Sequence, residues 1–551
     1  MSVEFQSSLN RPETLQSRLN YLIPRVCSGS LPIWPPDVFC LCAAVLQSSG
    51  AYSLVVSDNP PHGSIAARRK RAAEMLKIGK AWRKAVSTSR SIPAQLNKWW
   101  ATVVQHRSAP LSEIGTCQAC VLAILNLLAA SDEASAGLGL FFGNTHVSDA
   151  YEREAERILF ESARSKQGAT LCKTIPASKG RVLPKMHTPQ SGLTIRSLSH
   201  NIAYTYSPDI CPEWLSAAVD TKHHGFNLLA IPWPMKVEPR QFRSTRSVGV
   251  SDVLSPHAYG LFTFEPSRGP SIELVRQLLE EARRTVGEVD GIIFPELAMS
   301  QSEFEHLAQE FVSEDRFLIG GVGTPAIAPH RCGTNEAFLQ VGVRLSETGN
   351  MKATFAQKKH HRWKLTKPQI LQYGLASTLH PGADWWEHIT VGGRTLSFVT
   401  FRPWLTMSVL ICEDLARPDP VGDVLRAVGP NLIIALLCDA PQIMSRWPGR
   451  YAGALADDPG SSVLTLTSIG ASTLSKTLGG GPDRGRTVAL WRDAKNGAKE
   501  IDLPEAASAL LLTLSVEYHS ERTADGRGAD KLGGYPTLSG VHPLYLKEEA
   551  L

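Results

Sequence analysis

Long apolar runs are the first thing this 551-residue sequence lacks. The best, Cys120–Ala130, is too short for a bilayer span and carries Asn126. No membrane role is expected. The segment Met1–Asn10 has no basic stretch leading into an apolar core, so no secretory leader is expected. Charge of one sign is also scarce. Against 52 Asp+Glu stand 57 Lys+Arg, a formal net charge of +5. Over this length so small a surplus does not by itself argue for nucleic acid. The ten cysteines are scattered from Cys27 to Cys438 and form no disulfide framework. A reducing cytoplasm fits best, where a thiol is free to act as a nucleophile. Apolar residues at 43% and charged residues at 20% exclude a disordered or collagen-like chain.

What is present reads as two halves, as the length alone leads one to expect. Residues 1–200 predict a mainly helical domain of unknown role, ending in a connection. Gln118–Ala130 is apolar enough for a buried helix, and Ala150–Arg164 reads as a charged surface helix. Residues 173–200 hold three prolines and two glycines and read as an extended connection. From about residue 225 short apolar runs alternate with helical patterns. Phe226–Pro232, Gly291–Phe294, Phe317–Val322, Thr406–Cys412, Asn431–Leu437 and Val463–Thr467 are among the runs. Between them, Ser271–Arg284 places Ile272, Val275, Leu278, Leu279 and Ala282 on one helical face. This alternation predicts an α/β layered domain over 225–515. Residues 516–551 are left as a tail, assigned to oligomer contacts.

Three segments carry chemistry. Gly291-Ile-Ile-Phe-Pro-Glu296 is an apolar strand delivering a carboxylate at its end, where α/β folds open into crevices. Gln357-Lys-Lys-His-His-Arg-Trp363 is a cationic stretch. Met407–Pro418 runs a buried strand into Cys412, Glu413 and Asp414. Carboxylate, amine and thiol are the parts of covalent acyl chemistry. The carboxylate takes the thiol proton, and the ammonium favours the thiolate and the developing oxyanion.

Order and context resemble the carbon–nitrogen hydrolase (nitrilase/amidase) superfamily, whose triad is Glu–Lys–Cys. Pro295-Glu296 matches its first motif. Lys359 stands four residues before Trp363, as the motif lysine does in some amidases. Cys412, Asp414 and Pro418 match the third motif. The resemblance covers roughly residues 225–515. It implies a four-layer α-β-β-α sandwich, a triad of Glu296, Lys359 and Cys412, and a small amide or nitrile as substrate. It also implies association into homo-oligomers, with no metal or organic cofactor. Glu413, Asp414 and Trp363 are expected around the oxyanion and pocket, Asp414 as a cap of the turn that follows it. The family's second glutamate has no counterpart in Gln369–Leu375, and Glu387 falls later than that position.

Other readings stand beside this one. Cys412 alone is as well a core thiol, and Glu296 alone a carboxylate at a helix N-terminus. Lys358 and Lys364 compete with Lys359. His360-His361 has no partner spacing for a metal and reads as surface or pocket rim. Cys117-Gln-Ala-Cys120 reads as two core thiols. Residues 68–90 hold nine Lys/Arg against Glu74 alone. They read as a solvated helix or as a nucleic-acid or partner surface led by Arg68, Arg69, Lys70 and Arg71. The chain also resembles nitrilase-like parts that accompany bacterial reverse transcriptases in anti-phage systems. No polymerase motif is present, so that link would run through a partner. Three functions follow: an amidohydrolase, an impaired scaffold binding a partner or nucleic acid, and a thioester acyltransferase.

Overall fold

The computed structural model describes residues 13–140, 149–217, 225–251, 255–266, 268–327, 331–345, 349–475, 485–528 and 533–546. Two seven-stranded sheets dominate the second half. In the first, which carries the cysteine, neighbouring strands run Gly497–Asp502, Thr487–Asp493, Ser462–Thr467, Leu432–Leu437, Leu405–Ile411, Thr395–Arg402 and Cys211–Ser216. In the second, which carries the glutamate, they run Gly349–Lys358, Thr334–Leu345, Phe317–Thr324, Gly291–Ile293, Phe226–Ala230, Ala507–His519 and Gly533–Tyr545. Each sheet has a parallel centre, Leu405–Ile411 beside Leu432–Leu437 beside Ser462–Thr467 in one and Phe226–Ala230 beside Gly291–Ile293 beside Phe317–Thr324 in the other.

The apolar alternation of the strands decides how these sheets stack, because successive side chains face opposite ways. Leu432, Ile434 and Leu436 join Met407, Val409 and Ile411 in an inner layer that meets Ile293, Phe317, Ile319 and Leu339 of the other sheet. Ile433 and Ala435, one register away, face outward into a second apolar layer. The far face of the glutamate sheet, with Leu229, Ile292 and Leu318, is covered by the helices Ile272–Val286 and Gln301–Phe311. Ser271 starts the first of these by accepting the Leu274 N–H at 3.1 Å, and Gly287 at φ 83° ends it. The order is helix, sheet, sheet, helix, as expected.

The outward face of the cysteine sheet meets the helices Gly422–Val428 and Trp447–Asp457 together with the helical first half. Helices Pro35–Ser49, Ile65–Ser87, Ala94–Gln105 and Gln118–Ala134 share one apolar cluster with Leu396, Phe398, Leu410, Ile433 and Leu490 of the sheet. The segment read as a connection is built into this layer. Arg181–Pro184 pairs antiparallel with Ile202–Thr205, all eight residues buried, and Met186 N–H donates to Val428 O at 2.8 Å. The segment read as a tail supplies the edge strand Gly533–Tyr545 and the end of its partner Ala507–His519, and Arg527 between them enters the helical half. Among the described residues no helix is long and apolar enough to cross a membrane.

Candidate active site

The three expected residues arrive from three strand ends. Glu296 follows Gly291–Ile293, Lys359 follows Gly349–Lys358, and Cys412 follows Leu405–Ile411. The turn carrying Glu296 runs so close to the next strand that Gly321 is required there. A Cβ on Gly321 would stand 2.4 Å from both Glu296 Cα and Pro295 O. The lysine strand is tied to the cysteine sheet by Gln357, which donates to Val409 O at 2.9 Å and accepts the Ser397 N–H at 3.1 Å.

Of the three candidate lysines, Lys359 is the one whose ammonium is buried, at 1% exposure. It donates to Glu296 Oε1 and to Glu387 Oε2, each at 2.8 Å. Lys364 instead pairs with Asp384 at 2.6 Å over the Trp386 ring. Glu387, too late in sequence to match the family's second glutamate, reaches the lysine from the end of the strand Asp384–Glu387. A third strand supplies Asn335, whose amide donates to Glu296 Oε1 at 2.7 Å and Glu387 Oε1 at 2.8 Å. Glu387 also accepts the Trp363 N–H at 3.0 Å. Trp363 is therefore not a free pocket wall; its ring is set edge-on among Phe242, Phe262 and Tyr373.

Electrostatics follow from this enclosure. Burial works against the Lys359 ammonium, but Glu296 and Glu387 outweigh it and hold its pKa well above the ordinary lysine value. Burial raises the Glu296 carboxyl, with Glu387 adding to it and Lys359 opposing. Burial and Glu296 also push the Cys412 thiol up, Lys359 opposing again. The resting thiol therefore keeps its proton until a base takes it. Cys412 itself is held at φ 43°, ψ −108°, a positive-φ conformation that costs a non-glycine residue about 1–3 kcal/mol and recurs at functional turns. Its N–H donates to Leu436 O at 2.9 Å.

Asp414 corrects an expectation. Its carboxylate does not cap the turn after the cysteine. It reaches back to accept the His360 N–H at 3.0 Å and His361 Nδ1 at 2.9 Å, locking the lysine loop to the cysteine turn. A buried carboxylate needs donors, and the short helix Glu413–Ala416 offers its side chain none. His360 is likewise not at a rim. It is buried at 2% exposure, with Nε2 against Thr395 O at 2.8 Å. Glu413 is half-buried near Arg417.

Sequence reading missed a second group around the site. Cys438 N–H donates to Glu296 Oε2 at 2.6 Å. Next to it, Asp439 accepts the Tyr373 hydroxyl at 2.6 Å and is held by both terminal nitrogens of Arg446 at 2.9 and 3.1 Å. The signal was Cys438-Asp439 directly after the run Asn431–Leu437, the same placement as Cys412. Far from this site, Arg71 turns inward from the basic helix and binds Asp525 and Asn126, each at 2.6 Å. It is thus no part of a solvent-facing strip, because it lies on the buried stripe of Met75, Gly79, Trp82 and Ala85. Arg69 and Lys70 are exposed and Arg68 partly so.

Fold and site together define an α-β-β-α sandwich with a buried glutamate–lysine–glutamate cluster beside a strand-end cysteine. No protein-family model matches the chain, and no curated protein matches it. Solved structures similar to it include an amidase from Nesterenkonia sp., at 12% identity and a TM-score of 0.29, covering 54% of this chain and 91% of that one. Another is Nit3 of Saccharomyces cerevisiae, a member of branch 10 of the nitrilase superfamily, at 11% identity and a TM-score of 0.28, covering 51% and 86%. The layered architecture rests on this chain's own strand order and apolar layers.

Proposed function

We propose that the chain hydrolyses a carbon–nitrogen bond of a small amide or nitrile through a thioester on Cys412. For an amide, Glu296 takes the thiol proton and the sulfur attacks the carbonyl carbon. Lys359 and the Glu413 N–H hold the oxyanion. The C–N bond then breaks, and Glu296 returns the proton to the leaving amine. Water, deprotonated by Glu296, attacks the thioester. The C–S bond breaks, the acid departs, and Cys412 regains a proton. Glu387 and Asn335 act on the lysine, keeping it charged and in place.

The observation that carries this reading is the buried Lys359 ammonium bridging two carboxylates at 2.8 Å each, beside a cysteine in a strained strand-end conformation. A raised carboxylate suits proton transfer from a raised thiol. The test is intact-mass measurement of the full chain after exposure to a panel of small amides and nitriles. An acyl-sized mass gain located on Cys412, absent from Cys412→Ala, is expected, with release of amine or ammonia. A chain that gains no adduct and releases neither from any member of the panel overturns the reading.

A further inference from the structure

A second cluster lies at the opposite end of the cysteine strand. Thr406, near the start of Leu405–Ile411, donates through its N–H to Asn431 Oδ1 at 3.0 Å, and Asn431 Nδ2 donates to His187 O at 3.3 Å. Cys412 follows the other end of that seven-residue strand, about 20 Å away. At the Thr406 end His187, His200 and Glu521 converge, one ligand atom of each lying within 4.8 Å of the others. His187 Nδ1 is 2.5 Å from Glu521 Oε2, and His200 Nδ1 is 3.8 Å from the same oxygen.

The partners of each ring nitrogen fix where the protons sit. His200 is buried at 2% exposure, and its Nε2 lies 3.2 Å from Arg527 O. A carbonyl only accepts, so Nε2 carries the hydrogen, and in the neutral ring Nδ1 presents a bare lone pair. That lone pair has no hydrogen-bond partner. It faces Glu521 Oε2 at 3.8 Å, too far for a direct hydrogen bond and wide enough for an ion to sit between the two atoms. Neither ring nitrogen of the neighbouring His519 has a partner. His519 and His187 both lie against Gly533, where a Cβ would stand 2.8 Å from His519 Cε1 and 2.7 Å from His187 Cβ. Glu521 Oε1 is held by the Lys185 ammonium at 2.8 Å, while Oε2 is the oxygen that both His187 Nδ1 and His200 Nδ1 face.

We propose that His187 Nδ1, His200 Nδ1 and Glu521 Oε2 bind a divalent first-row metal ion, zinc by preference, with His519 or water in the fourth position. Two or three imidazoles and one carboxylate form a borderline donor set that suits zinc. Tetrahedral coordination spaces such ligand atoms about 3.4 Å apart, between the two distances seen. Metal entry requires His187 to carry its proton on Nε2. The Arg527 carbonyl and Lys185 already fix a ring and a carboxylate from outside, as partners of metal ligands do. The role is structural. The ion pins the loop after Ala507–His519 to the strand pair of the helical half. No sequence spacing announces it, since the ligands are separated by long stretches of chain.

The full chain, stripped with chelator, is titrated with Zn²⁺ by calorimetry and with Co²⁺ by absorption. One equivalent is expected, with tetrahedral Co²⁺ bands and no thiolate charge-transfer band. His187→Ala and His200→Ala should each weaken binding by at least roughly tenfold, while Cys332→Ser at an exposed thiol leaves it unchanged. Absence of binding to the wild-type chain at micromolar Zn²⁺ overturns the proposal. So does binding that survives the double histidine variant, or a Co²⁺ spectrum dominated by thiolate. The wild-type spectrum decides even if a variant fails to fold.

Discussion

Two buried charge clusters invite comparison. One joins Glu296, Lys359 and Glu387 at the cysteine. The other joins Arg527 and Arg71 with Asp525, Asp132 and Glu133, where the carboxyl-terminal loop enters the helical half. Both bury cations between several carboxylates. They differ in what the cations are and in what is left over. An arginine does not give up its proton, and its fork binds several acceptors at fixed angles. Arg527 reaches Asp132 at 3.0 Å, Glu133 at 2.6 Å and Leu198 O at 2.5 Å. Asp132 also accepts the His200 and Asn201 N–H groups. Burial alone would raise Asp525, but Arg527 and Arg71 outweigh it and hold the carboxyl well below its ordinary range. In the cysteine cluster the balance is reversed for Glu296, whose carboxyl is raised. Asn335 Oδ1 there has no partner. Glu133 beside Arg527 is raised by burial as well, so the clusters differ in Asp525, held low, against Glu296, held high.

The largest expected effect separates the two by function. Glu296→Gln keeps the shape and removes the base, and kcat should fall by roughly 10²–10⁴-fold with little change in the urea midpoint. Glu387→Gln should lower kcat less, since it acts through Lys359. A Glu387→Gln enzyme with wild-type kcat would show that the second carboxylate is structural, like those around Arg527.

Next in size is the loss of the arginine cluster. Arg527→Met leaves Asp132, Glu133 and Asp525 buried without their shared cation. Removing one partner of a buried pair costs about 3–5 kcal/mol. Urea unfolding should show that loss, while kcat of the folded fraction stays near wild type. Arg71→Ser should fall in the same direction by less, because Arg527 still serves Asp525. A variant that unfolds normally but loses turnover would mean that the two clusters communicate.

The pH responses should fall in separate windows. In the proposed mechanism Glu296 acts when deprotonated, and its pKa is raised, so activity should disappear as pH falls through that raised value. The acid limb of kcat/KM should therefore lie above the ordinary glutamate value of about 4.3. Asp525 is depressed. Its stabilising contribution is complete above the unfolded value of about 3.9 and is lost as pH falls toward the folded one. Activity should thus vanish while the chain remains folded. Measuring both profiles on one preparation checks this, and coincident loss of rate and structure would erase the distinction.

How legible these features were depends on distance in sequence. Strand ends delivering Glu296 and Cys412 were readable because an apolar run and its terminal residue are local. The helix–sheet–sheet–helix order was expected from the family resemblance, and the register by which Leu432 faces inward and Ile433 outward supports it. Glu387 and Asn335 were not readable as partners of Lys359, because their approach depends on the pairing of three separate strands. Arg71 misled for a related reason. A basic run looks solvated until the helix phase is known, and the phase is set by Gly79. A Cβ at Gly79 would stand 2.5 Å from Glu133 Cβ, so the helix can approach Gln118–Ala134 only on that side, and Arg71 turns in with it. The place of residues 181–186 in the outer layer rests on the hydrogen bond from Met186 to Val428, again far along the chain.

The smallest expected effect lies on the same helix. Arg69 and Lys70 project from the face opposite the buried stripe, and surface charges of this kind usually change stability by less than about 0.5 kcal/mol. Arg69→Ser/Lys70→Ser should unfold with the wild-type midpoint, in contrast to Arg71→Ser a single residue away. A phosphate-binding strip would behave differently in one respect. Each phosphate contact adds roughly one log unit of affinity loss per log unit of salt. With Arg71 turned inward and no aromatic stacking platform read beside the strip, single-stranded nucleic acid should bind the wild-type chain only at low salt. Filter binding across a salt series measures this. Tight binding at physiological salt, with a slope that flattens in the double variant, would make the exposed face of this helix a recognition surface rather than a solvated one.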